Sequence, residues 1–298
     1  MDIRQSPQYA NYLKSLGWTV ERIDNTNYFI KKIPIIGGVL KVQRPKRLNF
    51  EVIEQLGKKY RVFQIIVEPD LTGIGSGVSR SIKYHNLLLS QGFKLSKSPF
   101  LPTKTLQIDL TQTKEKIFNA FKKDARLALR KTKDLGFKIY DLSNIKEFRK
   151  TWKKSVKFNR YVPPLEHLIN LRKSFPKNNS LFLASHNAGA IFIRTKDIAY
   201  YWQAFTNKEG RNQQTQYQVV WKGIHWAKKQ GCKIFDFEGI YDSRFPNKSW
   251  LGFTHFKKSF DGYEVEYPGC YTKFRFPFLN SSLAQLSKHQ RNQNSCVP

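Results

Sequence analysis

Lys122, Lys123, Arg126, Arg130, Lys131 and Lys133 crowd the segment 122–133, opposed there only by Asp124. Cations at this density suit phosphate oxygens, whose charge and acceptor geometry match ammonium and guanidinium donors. Ile117, Phe121, Ala125 and Leu129 recur at every fourth position, so the spacing predicts one helix within Leu106–Ile139 that docks an apolar stripe and turns its cations outward. A charge run on a helix is ordinarily a solvated face. The whole chain tilts that balance: 52 Lys and Arg against 22 Asp and Glu leave a formal +30 on 298 residues, an excess that favours polyanionic partners.

Other chemistry-bearing side chains are scattered. Lys257 stands beside Lys258, where a lysine alone reads as a solvated charge, but Phe253, Phe256 and Phe260 bracket it and can anchor the segment so that one ammonium turns inward. Asp236 and Asp242 have the side chain of a general base. The apolar run around Asp236 favours a role in organising a strand end over proton transfer. Glu68 precedes Pro69 at a strand end, suited either to holding an amine or to closing a turn. Tyr200 and Trp202 alternate along one strand and face the same way, into a cleft or a core. Gly73-Ile74-Gly75-Ser76-Gly77 has the composition of a phosphate cradle, yet Glu68-Pro69-Asp70 separates it from the preceding strand, and a plain loop is the better reading.

These residues need elements to position them. Strands are expected at Tyr28–Lys32, Gly38–Gln43, Val62–Val67, Leu106–Leu110, Ser180–Ser185, Ala190–Thr195, Ile198–Ala204 and Lys233–Phe237, with helices at Phe50–Lys59, Ser81–Gln91, Ile145–Val156, Leu165–Ser174 and Gln214–Lys229. Thr111 or Thr113 is the candidate cap for the basic helix. Each half reads as several strands, a helix and a short strand, compatible with two copies of one α+β fold. The expected division is 1–143, 144–275 and a polar tail 276–298. Cys232, Cys270 and Cys296 are too few and too scattered for a disulfide framework or a zinc site, which suits a reducing compartment. The start, MDIRQSPQYA, lacks a secretory pattern, and no apolar run approaches the ~20 residues that span a bilayer. The expectation is a cytoplasmic monomer whose basic face can touch anionic lipid heads at the inner face of the membrane.

Several runs in order resemble the Fem family of bacterial aminoacyltransferases that build peptidoglycan cross-bridges. They are LGWTVERI (Leu16–Ile23), VQRPKR (Val42–Arg47), IVEPD (Ile66–Asp70), the basic helix, the stretch from Ala199 to Ile240, and GFTHFKKSFDG (Gly252–Gly262). The family's Asp-x-x-Gly strand end and following Phe-Lys and Phe-Gly correspond to Asp236, Gly239, Phe256, Lys257, Phe260 and Gly262. The resemblance implies two tandem acetyltransferase-like (GNAT-like) domains with mixed sheets flanked by helices, here without the family's coiled-coil arm.

The resemblance also implies an activity: transfer of an amino acid from aminoacyl-tRNA to an amine on the stem peptide of a UDP-linked or lipid-linked peptidoglycan precursor, with no cofactor and no metal. It puts Lys257 at the catalytic position. Arg22, Glu68, Arg160, Tyr200, Trp202, Asp236 and Phe256 become substrate-binding candidates, and Lys122, Lys123, Arg126, Arg130, Lys131 and Lys133 face tRNA. One departure is Val162-Pro163-Pro164, where relatives carry Arg-Pro; a phosphate-binding arginine is missing at Pro163, with Arg160 close by in sequence. The alternatives are a GNAT-type acyltransferase that uses acyl-CoA or modifies a protein N-terminus, and a non-enzymatic RNA-binding protein.

Overall fold

Alternating β-branched and aromatic residues build a hairpin from Thr26–Ile33 and Gly37–Gln43, with Thr19–Ile23 antiparallel on its outer side. The structure is a computed structural model that describes residues 1–70, 78–134, 138–142, 144–156 and 160–275. Asn49 caps the helix Phe50–Lys59 by accepting from the Val52 N–H, and this helix returns the chain so that Val62–Glu68 lies parallel to Gly37–Gln43. The second half repeats the order. Ser180–Ala184, Ala188–Arg194 and Ile198–Thr206 form an antiparallel meander, and the helix Thr215–Lys229 brings Ile234–Gly239 back parallel to Ile198–Thr206.

Each repeat borrows a strand from the other half. Lys104–Asp109 pairs antiparallel with Ile234–Gly239 in the second sheet, and Tyr271–Phe274 pairs antiparallel with Val62–Glu68 in the first. Short strands finish both edges: Lys94–Leu95 beside Tyr271–Phe274, Tyr263–Glu266 beside Lys104–Asp109, and Tyr140–Asp141 beside Ser180–Ala184. The sheets thus hold six and seven strands among the described residues. The strand Lys104–Asp109 therefore lies wholly in the second sheet and Tyr271–Phe274 wholly in the first. The segment 276–298 and the glycine loop 73–77 lie outside the described residues.

Both faces of the second sheet are covered. One buries Phe192, Tyr201, Phe235, Phe237 and Phe260 under the helices Thr215–Lys229 and Lys123–Asp134. The other packs Tyr200, Trp202 and Phe205 against Phe148 and Trp152, and also against Tyr9 and Leu13 of the N-terminal helix Pro7–Ser15. That core includes Val20 and Phe29 of the first sheet, so the N-terminal helix joins the two units.

The expected single basic helix is two, Lys114–Ala120 and Lys123–Asp134. Thr113, not Thr111, caps the first through the Lys116 N–H. Phe121 breaks the run at φ −58°, ψ 145°. Its ring is buried edge-on against Trp221 and Phe260, with centroids 5.3 and 5.2 Å away, and this aromatic packing competes with one more helical turn. The Lys122 N–H then donates to the Ser259 carbonyl at 2.9 Å, an attachment that a continuous helix does not allow.

Candidate active site at the junction of the two sheets

The strand Ile234–Gly239 ends in a buried polar knot. Asp236 accepts from the Thr105 hydroxyl, from Gln107 Nε2 at 2.8 Å and from the Glu238 N–H at 2.7 Å. Glu238, at φ 58°, turns its carboxylate to Arg4 Nη2 at 2.8 Å. Gly239 follows where the Trp250 ring leaves no room for a side chain: a Cβ there would lie 2.5 Å from it. The helix Leu251–Lys258 then places Lys257, 5% exposed, with Nζ donating to the Gly239 carbonyl at 2.7 Å. The Phe253 ring centroid lies 4.9 Å from that nitrogen and the Tyr201 centroid 5.8 Å, so aromatic faces replace water around the ammonium.

Burial pushes Lys257 down to about 8, partly offset by the nearby charges of Glu238 and Asp236. Burial likewise pushes Asp236 up to about 6, Glu238 adding to the shift, while the donors from Thr105, Gln107 and Glu238 oppose it. A raised carboxyl stabilises the fold while it is protonated. That contribution is complete below the ordinary 3.8 and is lost as pH rises through about 6. Asp236→Asn is therefore expected to flatten the dependence of unfolding free energy on pH across that window, read from urea melts at stepped pH. An unchanged slope would remove Asp236 as its source.

Between the sheets lies a cleft of about 540 Å³. Val39, Lys41, Gln64 and Ile66 of the first sheet form one wall, and Ile240, Tyr241, Asp242, Phe245 and Trp250 the other, with 97–103 closing it. Lys257 is not on the wall, but Ile240 and Tyr241 follow directly after the glycine that holds it. Lys41 reaches the cleft with Nζ 4.5 Å from the Phe100 ring and 5.4 Å from the Trp18 ring, and burial lowers its pKa. Lys97 and Lys248 add two exposed ammoniums, while Asp242 is neutralised by Arg244 at 2.8 Å. The lining suits an anionic ligand with an apolar portion.

Glu68 sits behind this cleft as an organiser. Its carboxylate accepts from the N–H groups of Phe100 and Leu101 at 3.0 and 2.7 Å and from Gln43 Nε2 at 3.0 Å, fixing the loop that forms the cleft floor. Arg22 donates to the Gln5 carbonyl, Asn27 and Asn25, and so ties strands to the N-terminal segment. Tyr200 and Trp202 share a face as expected, and that face is core: the Tyr200 hydroxyl accepts from the Ile3 N–H, and Trp202 packs on Tyr9. Arg160 is exposed and Phe256 is half-buried against Tyr217 and Phe260. Lys122, Lys123, Arg130 and Lys131 are exposed, Arg126 is half-buried with Nη1 on the Asn119 carbonyl, and the side chain of Lys133 lies outside the described residues.

Sequence reasoning missed Arg4, Lys41 and Glu238, whose partners are far along the chain. It also missed that the Lys122–Ser259 bond brings the basic helices to the end of the Lys257 helix. Among the described residues no group of three His, Cys, Asp or Glu side chains could hold a metal ion, and no helix is long and apolar enough to cross a membrane. Cys232 and Cys270 are buried free thiols.

Two mixed sheets with a repeated strand order and exchanged strands make a tandem GNAT-like fold. The fold is similar to that of FemX, with a TM-score of 0.76 and 15% identity over 96% of this chain and 94% of that one. It is also similar to a tandem GNAT protein from the clavulanic acid biosynthesis pathway, with a TM-score of 0.50 and 8% identity over 85% and 83%. Residues 177–287 match the FemAB family model. The aminoacyltransferase FemA of Staphylococcus epidermidis is 26% identical over 141 residues, 47% of this chain, and the match spans 33% of that relative's length. The family model thus matches part of the second half of the chain, and the likeness to FemX is one of fold.

Proposed function

We propose that this protein is a tRNA-dependent aminoacyltransferase that moves an amino acid from aminoacyl-tRNA to an amine on the stem peptide of a peptidoglycan precursor. The observation that carries the reading is the buried ammonium of Lys257. It is aimed at the end of the strand Ile234–Gly239 by one hydrogen bond, beside a cation-lined cleft and next to two basic helices. The FemA relative bears the name aminoacyltransferase, which supports the reaction class.

The ester of a charged tRNA is already activated, so alignment and charge stabilisation suffice. The acceptor amine attacks the ester carbonyl and forms the C–N bond. The C–O bond to the terminal ribose breaks, the ribose oxygen leaves as a hydroxyl, and the nitrogen gives up a proton. Lys257 commits one N–H to Gly239 and has two more for the oxyanion that develops at the carbonyl. In surroundings from which aromatic rings exclude water, that interaction is stronger than at a surface. Lys122, Lys123, Arg130 and Lys131 are assigned to tRNA phosphates, and the cleft with Lys41, Lys97 and Lys248 to the precursor.

Radiolabelled aminoacyl-tRNA and precursor, incubated with the protein, should give label in the precursor as an alkali-stable amide. Ribonuclease treatment of the donor beforehand should abolish it. Label transferred from acyl-CoA and insensitive to ribonuclease would contradict the proposal, as would salt-dependent RNA binding without turnover.

A further inference from the structure

Residues 34–36 form the tip of the hairpin between Thr26–Ile33 and Gly37–Gln43. Hairpin tips ordinarily carry Asn, Asp or Gly, which tolerate the turn and face water. This tip reads Pro34-Ile35-Ile36, all exposed, and Ile35 is completely so. Ile35 also adopts φ 67°, a left-handed conformation in which a β-branched residue is a genuine outlier. Gly or Asn would relieve the backbone and wet the tip, yet the chain holds out an aliphatic side chain. The tip is braced from behind: Gly38 donates to the Arg61 carbonyl, and a Cβ on Gly37 would lie 2.3 Å from that oxygen.

Cations surround the base. Lys32, Lys58, Lys59 and Arg61 are exposed, and Lys32 and Lys59 flank the Tyr60 ring at 5.7 and 5.1 Å. The acidic neighbour Glu21 is paired with Lys59 at 2.8 Å and so does not cancel the rest.

We propose that the Pro34-Ile35-Ile36 tip is an insertion element that seats the first sheet on an anionic lipid bilayer, with the surrounding lysines and arginine on lipid phosphates. Three apolar residues make too small a patch for a stable protein interface, whereas an apolar tip within a cationic collar matches the acyl boundary beneath a charged headgroup layer. The strand Gly37–Gln43 runs from this tip to Val39 and Lys41 on the cleft wall, so a seated tip holds the cleft close to the bilayer. If the function proposed above holds, and only on that reading, this geometry favours a lipid-linked over a UDP-linked acceptor.

The test is sedimentation of the full chain with vesicles of phosphatidylglycerol and phosphatidylethanolamine, against vesicles of phosphatidylcholine alone, at physiological salt. The wild-type chain should bind the anionic vesicles only. The double variant Ile35→Gly, Ile36→Ser should lower that partition about tenfold, by loss of the buried apolar area. Its thermal midpoint should not fall, since glycine accepts the φ at position 35. A second variant, Ile36→Trp, should shift its fluorescence to the blue on adding anionic vesicles. Absence of wild-type binding, equal binding to neutral vesicles, or full binding by the double variant would overturn the proposal. Vesicle binding is read without turnover, so a failure of aminoacyl transfer leaves this result standing. The double variant should still act on a water-soluble acceptor, which separates loss of membrane contact from loss of chemistry.

Discussion

Lys257→Met is expected to lower kcat for transfer about 10²–10³-fold and to leave KM for both substrates within about twofold, because the ammonium meets charge that exists only in the transition state. Methionine fills nearly the same volume between Phe253 and Tyr201, and the variant removes the donor to the Gly239 carbonyl without opening a cavity. Circular dichroism and the thermal midpoint should therefore stay close to wild type while activity falls. The pH profile supplies a second readout. Lys257, held down at about 8 by burial, is charged below that value and neutral above it. Wild-type kcat should decline as pH rises through about 8, and the residual activity of the variant should lack that limb. A KM rise with unchanged kcat would make Lys257 a binding residue and remove it from the chemical step.

Arg4→Met carries the largest expected loss of stability, about 3–5 kcal/mol, since breaking a buried ion pair strands the remaining charge. Arg4 is 2% exposed; it donates to Glu238 at 2.8 Å, pairs with Asp2 at 3.3 Å, and lies 5.4 Å from the Trp202 ring. Burial opposes its charge, but Glu238 and Asp2 more than compensate and raise its pKa well above the ordinary value. Without the guanidinium, Glu238 faces a dry interior at the end of the strand that holds Lys257. The double variant Arg4→Met, Glu238→Gln should recover part of the loss, because both ends of the pair are then neutral. Urea unfolding of the two single variants and the double provides the cycle. Full additivity would mean that Arg4 stabilises through packing alone.

Local patterns were legible in the sequence wherever a short segment determines its own structure. The helix Phe50–Lys59 and the strand expected at Val62–Val67 follow from period and flanking residues, as does the long helix ending at Lys229. The strand exchange was not legible, since nothing in the runs 104–109 or 271–274 says which half will accept them. The same holds for the broken basic helix, where the stripe through Phe121 is helical by period but its ring is claimed by Trp221 and Phe260.

The site divides in the same way. The aromatic bracket around Lys257 allowed an inward-facing ammonium beside the solvated alternative, and the side chain is buried against Phe253. Arg22 and Glu68 were open in the sequence between substrate contact and a structural place, and their hydrogen bonds run to Gln5 and to the loop at Phe100, partners that only the fold supplies. Arg4 gave no signal at all, because its place in a polar N-terminal run is ordinary until Glu238 arrives beside it.

The most direct measurement is the mass of the precursor after incubation with the protein and a mixed pool of charged tRNAs. The expected product is heavier by one or more amino-acid residues, formed by the wild-type chain and almost absent with Lys257→Met. A precursor of unchanged mass in the presence of intact charged tRNA, or equal product from the variant, would contradict it.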